Sequence, residues 1–145
     1  MREARRLALL KRQSLIAEVA RKQALRALAE ALEAEARGQA LAARSLRLVA
    51  ASAAREGATS GAALAQRAAF TAGLAQLAAN AQGSARDALR QREWQAEALA
   101  RTETRAKRLA EMSTEARTAL AAAQERRAAA REMPLARKLQ SRRDT

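Results

Sequence analysis

Glu56-Gly57-Ala58-Thr59-Ser60-Gly61 is the one stretch of this chain with the chemistry of a turn. Its two glycines stand four apart with Thr and Ser between them. They offer a helix C-cap at Gly57 and an N-cap at Thr59 or Ser60. On either side the sequence is rich in Ala, Leu, Glu and Arg, all good helix formers. Helix 1 is expected over about residues 3–55, the turn over about 56–60, and helix 2 over about 60–132. Pro134 should end helix 2 near Glu132 or Met133, because proline lacks the N–H and clashes with the preceding turn. A short basic tail, residues 134–145, follows. A short turn between two long helices favours an antiparallel pair. The expected fold is all-α: one long two-helix antiparallel coiled-coil hairpin. At ~1.5 Å per residue, helix 1 is about 80 Å and helix 2 about 110 Å long, so helix 2 should overhang helix 1 or bend away beyond the N-terminus.

The composition points the same way. Of the 145 residues 49% are hydrophobic, yet there is one Phe, one Trp and no Tyr, and alanine dominates. A methyl group removes little area from water, whereas burial of a Leu or Phe contributes roughly 1.5–3 kcal/mol. Long helices zipped by small residues fit this better than a compact core. The charged fraction of 30% is that of a coiled coil.

Helix 2 supports a seven-residue register. With position a at Leu64, the a positions are Leu64, Thr71, Ala78, Ala85, Arg92, Leu99, Ala106, Ser113, Leu120 and Arg127. The d positions are Arg67, Leu74, Ala81, Ala88, Gln95, Thr102, Leu109, Ala116, Ala123 and Ala130. Thirteen of these twenty are apolar, mostly alanine, so the seam is thin. Helix 1 reads as a broad apolar stripe rather than a strict heptad. It carries Leu7, Leu10, Leu15, Ile16, Val19, Leu25, Leu28, Leu32, Leu41, Leu46, Leu48 and Val49 at mixed spacings of three and four. Trp94 falls at position c of helix 2, away from the seam.

Several function classes lose their raw material. There is no Cys and no His, so thiolate metal sites, disulfides and the commonest general base and metal ligand are absent. The five glycines are isolated and form no phosphate loop. No catalytic residue, cofactor site or metal site is expected, and the chain is expected not to be an enzyme. The apolar run Leu7–Leu10 is too short for a secretory leader and is followed by Lys11 and Arg12. No run approaches the ~20 apolar residues of a membrane span. A cytoplasmic protein without membrane insertion is the expectation.

The net charge of +13 is uneven. Residues 1–22 carry seven basic side chains against Glu3 and Glu18. Residues 123–145 carry another seven against Glu125, Glu132 and Asp144. An antiparallel hairpin gathers both segments at one end, which should be steered toward an acidic surface or polyanion. Single-strand nucleic-acid binders interleave aromatic stacking platforms with their cations. Neither terminal segment has an aromatic residue, so no specific nucleic-acid partner is expected. Two other readings of the same features are a generic structural coiled-coil oligomer and a basic nucleic-acid-associated protein.

Three segments carry a family resemblance: AALAQRAAFTAGLAQLAANA at 62–81, RTETRAKRLAEMSTEAR at 101–117 and AAAREMPLARKLQSRRDT at 128–145. They resemble helix 2 and the tail of the FliJ family, stalk proteins of the flagellar type III protein-export apparatus. Similar proteins serve virulence-type secretion. The resemblance implies a hairpin whose terminal end enters the pore of the hexameric export ATPase. It also implies contact with the export-gate membrane protein of the FlhA type and escort of export chaperones, at the membrane-bound apparatus. On this sequence the implied ATPase tip is Arg2, Arg5, Arg6, Arg126, Arg127 and Arg131. The implied gate-binding positions are Phe70, Leu74, Leu77 and Ala81, spaced four, three and four and so on one helical face. Ala81 replaces a polar residue of the family pattern. In the heptad register Leu74 and Ala81 lie in the seam, and Phe70 and Leu77 flank it at g.

Overall fold

The computed structural model describes residues 2–55, 57 and 60–143. Two helices account for nearly all of them: α1, Arg2–Ala53, and α2, Gly61–Arg143. They pack against each other as a helical hairpin, and no strand occurs among the described residues.

The turn is built as its residues dictate. Ser60 caps α2: its Oγ accepts the N–H of Ala63 at 3.2 Å, while its carbonyl accepts the N–H of Leu64 at 3.0 Å. The N-cap is therefore Ser60; Thr59, the other candidate, lies outside the described residues together with Glu56 and Ala58. Gly57 sits at φ 114°, a region that side chains other than glycine rarely adopt.

At the far end α2 does not stop at 132–133 as its proline suggests, but runs through Pro134 to Arg143. The missing N–H removes one bond to the carbonyl four residues back, a penalty of about 3 kcal/mol in a helix interior. Strong helix formers stand on both sides, Ala128 to Ala130 before it and Leu135 to Gln140 after it. They carry the helix across the defect.

The register of α2 holds. The buried residues of α2 (Ala78, Ala81, Leu109, Ser113 and Ala116) all occupy a or d positions. Seam positions Leu64, Arg127 and Ala130, at the two ends of the register, are exposed. From 124 to 132 all positions of α2 are exposed, which is the expected overhang.

On α1 the structure corrects the sequence reading. Beside half-buried Glu18, Ala20 and Ala27 on the flanks, the protected positions are Glu3, Leu7, Leu10, Ser14, Ala17, Arg21, Ala24, Leu28, Ala31, Glu35, Gly38, Ala42, Ser45, Val49 and Ser52. They alternate at four and three, a strict heptad, and only four are large apolar residues. Leu15, Ile16, Val19, Leu25, Leu32, Leu41, Leu46 and Leu48, all assigned to a broad stripe, are exposed. The reason is steric. A seam of small side chains lets the helix axes approach closely, and a leucine at those positions would hold them apart.

The chain divides into two compact units, one formed by Met1–Lys22 with Arg101–Thr145 and the other by Gln23–Ala100. In the first, the core is Leu10, Ala17, Leu109 and Ala116, with Leu7 and Ala106 packed against it. Arg21 donates to Glu18 at 3.1 Å, and its Nε lies 3.8 Å from Glu103 on the facing helix.

In the second unit, a Cβ built on Gly38 would stand 3.3 Å from the Cα of Ala85. Here the backbones touch. Ser52 and Thr71 hydroxyls meet at 3.3 Å, and since Thr71 donates to the Arg67 carbonyl at 2.9 Å, Ser52 must be the donor. The pairings 38 with 85 and 52 with 71 run in opposite senses, so the helices are antiparallel. Between them lies a polar layer. Glu35, buried, accepts from Arg92 Nε at 2.9 Å with one carboxylate oxygen and from Gln39 at 3.1 Å with the other. The charge is buried and fully satisfied, and it disfavours slipped registers.

These contacts fix the direction of several substitutions, each measurable by urea denaturation. Gly38→Leu should lower stability by about 1–3 kcal/mol through overpacking, and Gly57→Ala by about 1 kcal/mol through backbone strain. Gly73→Ala and Gly83→Ala, where nothing lies within 4 Å of the new methyl, should each raise it by about 0.5–1 kcal/mol. Arg92→Ala, which strands Glu35, should lose about 1–3 kcal/mol. Arg90→Ala should lose under about 0.5 kcal/mol, because its 2.9 Å pair with Asp87 is exposed.

Candidate functional site

Two surfaces stand out, one in each unit. In the unit Gln23–Ala100 the structure separates the four gate-binding candidates. Ala81 is buried in the seam and Leu74 is half-buried, whereas Phe70 and Leu77 are 63% and 62% exposed. They therefore play two parts. Ala81 and Leu74 hold α1 against α2, and Phe70 and Leu77 project from the flank.

Sequence reasoning missed the other half of this flank. Leu48, on α1, lines a shallow groove with Ala51, Ser52, Arg55, Phe70 and Leu74. Leu41 lies seven residues before Leu48, and Leu77 seven after Phe70. In an antiparallel pair, g positions of the two helices share one side. Leu41 and Leu48 are g positions of the α1 heptad, as Phe70 and Leu77 are of α2. The four make one apolar strip between 51 and 63% exposed. Counting the α1 heptad from its alanines and serines would have found the strip in the sequence; following the leucines hides it.

Trp94 is 56% exposed at its c position. It lies off this strip.

The second surface is electrostatic. The unit formed by residues 1–22 and 101–145 carries nineteen Lys or Arg against eight Asp or Glu, a net +11; residues 23–100 carry nine against seven, a net +2. Arg2, Arg5, Arg6, Arg126 and Arg131 are exposed. Arg127 Nη2 stands 3.9 Å from the Glu3 carboxylate, which places the overhang of α2 beside the first turn of α1. Glu3 is held below the ordinary carboxylate value, first by a hydrogen bond from its own backbone N–H and to a lesser degree by Arg127. All six residues assigned to the tip thus belong to one unit.

Among the described residues no group of His, Cys, Asp or Glu is placed to hold a metal ion, and no helix is long and apolar enough to cross a membrane. Comparison of the chain with protein-family models, curated proteins and solved structures finds no match.

The division of labour along Phe70, Leu74, Leu77 and Ala81 predicts a contrast in stability. Phe70→Ser and Leu77→Ser should each change unfolding free energy by less than about 0.5 kcal/mol, as surface substitutions do. Ala81→Leu should destabilise by about 1–3 kcal/mol by forcing the helices apart. Urea melts followed by helical circular dichroism read both.

Proposed function

We propose that this chain is a non-enzymatic stalk and adaptor of the flagellar type III protein-export apparatus, of the FliJ kind. The observation that carries the reading is the separation of its two surfaces. Nearly all the net charge sits in the unit that holds both ends of the chain, and an apolar strip built from both helices lies in the unit that holds the turn. A stalk needs both. Its charged end engages the acidic lining of an ATPase ring, and its apolar flank engages a second partner without competition.

In this reading Arg2, Arg5, Arg6, Arg126, Arg127 and Arg131 enter the pore of the hexameric export ATPase. The single rod meets six subunits unequally, and that asymmetry biases their nucleotide states. Phe70 and Leu77, with Leu41 and Leu48 beside them, seat against the export-gate protein of the FlhA type. Large apolar anchors at a surface are the usual carriers of binding energy. Export chaperones are the third partner. The protein works at the cytoplasmic side of the apparatus, attached through these contacts.

The basic unit would also attract nucleic acid, but the Phe and Trp of the chain both lie in the other unit. A nucleic-acid partner would find charge there and no stacking platform.

Purified export ATPase tests the proposal. One copy of this chain should bind per hexamer and raise ATP hydrolysis several-fold. Arg2→Glu with Arg5→Glu and Arg6→Glu should abolish the stimulation. Phe70→Ser with Leu77→Ser should leave stimulation intact and lower capture by the gate protein by about tenfold or more. Absence of both binding and stimulation would end the stalk reading.

A further inference from the structure

On the face of α1 opposite the seam, five residues of the basic unit follow a second coiled-coil spacing: Arg5, Leu9, Arg12, Ile16 and Val19, at intervals of four, three, four and three. Each stands two residues after a seam position, Glu3, Leu7, Leu10, Ser14 and Ala17, and so about 200° around the helix from it. All five are exposed, and Leu9, Ile16 and Val19 are between 56 and 64% accessible. Arg5, Leu9 and Arg12 line a shallow depression around Ala8.

We infer that this stripe is the docking seam for a third helix, an acidic amphipathic α-helix contributed by another protein. The spacing decides that the occupant is a helix, because alternation of four and three is what knobs-into-holes packing requires. The cations decide its chemistry. Arg5 and Arg12 take two of the five central positions, and neither has an ion-pair partner among the described residues. The nearby carboxylates of α1 are engaged elsewhere, Glu3 with Arg127 and Glu18 with Arg21. A facing helix that buries Leu9, Ile16 and Val19 also desolvates these guanidinium groups, so it must supply Asp or Glu opposite them.

The same facts argue against the other occupants. A second copy would bring arginines and a net +11 unit against another of the same sign. A lipid surface calls for a broad apolar sector with its cations at the polar border, and here the cations run down the middle. The stripe shares Arg5 with the tip of the stalk reading, but its other four residues have no part there and any protein with such a helix satisfies the inference, so the two fail separately.

The test uses the full chain and a synthetic probe: a fluorescein-labelled helical peptide of about three heptads. It carries leucines on one stripe, glutamates at the two stripe positions that face Arg5 and Arg12, and a negative net charge. A control peptide has lysine at those two positions. Fluorescence anisotropy at physiological salt should show the glutamate peptide bound at least about tenfold more tightly than the lysine peptide. Leu9→Ser with Ile16→Ser should weaken it by a similar factor, with the helical content of the chain unchanged. Arg12→Glu should reverse the preference, so that the peptide with a single lysine opposite position 12 becomes the better ligand.

Equal binding of the two peptides, indifference to Arg12→Glu, or no binding at all would overturn the inference. So would light scattering that shows a dimer abolished by the Leu9 and Ile16 changes. Capture of the chain by phosphatidylglycerol vesicles through Leu9 and Ile16, with no peptide bound, would assign the stripe to lipid instead.

Discussion

The close approach of two backbones at Gly38 and Ala85 is the constraint from which the rest of this fold descends. A Cβ at Gly38 would stand 3.3 Å from the Ala85 Cα, tight even for a methyl group and too close for a larger side chain without a shift of the helices. Once the axes are that near, the neighbouring seam positions must be small or must point a long polar chain outward along the seam. Alanine and serine fill most of them. Among the described residues the buried apolar set is two leucines and six alanines. Burial of methyl groups supplies little per residue, so the helices owe much of their order to intrinsic propensity and to a register that allows no alternative.

That register is held by polar contacts rather than by hydrophobic mass. The Glu35, Gln39 and Arg92 layer and the Ser52–Thr71 pair each require particular partners across the helices. Slipping the pair by one heptad would leave the Glu35 carboxylate opposite Ala85 or Leu99, without the Arg92 bond and with only Gln39 of its own helix as partner. In an alanine seam such contacts matter more than in a leucine zipper, because the apolar layers distinguish poorly between registers.

The legibility of the sequence follows from the same chemistry. The turn, the helical class and the seam of α2 could be read directly, since Gly57 and Ser60 have local conformational roles and the a and d positions of α2 include Leu74, Leu99, Leu109 and Leu120. The seam of α1 could not be read by hydrophobicity. Its members include Glu3, Ser14, Arg21, Glu35, Gly38, Ser45 and Ser52, and the eye goes instead to the leucines beside them. The signal was the four-and-three recurrence of small residues, which carries information only once the helices are known to be close. Of the gate-binding candidates, the sequence placed Phe70 and Leu77 on the flank and Ala81 in the seam. It missed Leu41 and Leu48 for the reason just given. Pro134 does not end α2, because helix propensity on both sides outweighs the loss of one hydrogen bond.

A seam built mostly of small side chains leaves most of the large apolar ones on the surface, and the proposed function draws on them. A leucine between 46 and 60% exposed leaves about half its apolar surface in water, yet α1 carries Leu9, Leu41, Leu46 and Leu48 in that state. Helix propensity alone does not explain them, since alanine would serve at least as well and keep the chain more soluble. Arginines charge the surface of the first unit, but the second is nearly neutral and presents Leu41, Leu48, Phe70 and Leu77 together. Scattered apolar residues need no explanation, whereas a strip drawn from two helices at equivalent heptad positions does. A thin seam gives the protein its form, and the apolar area that a globular domain would bury within itself stays on its surface.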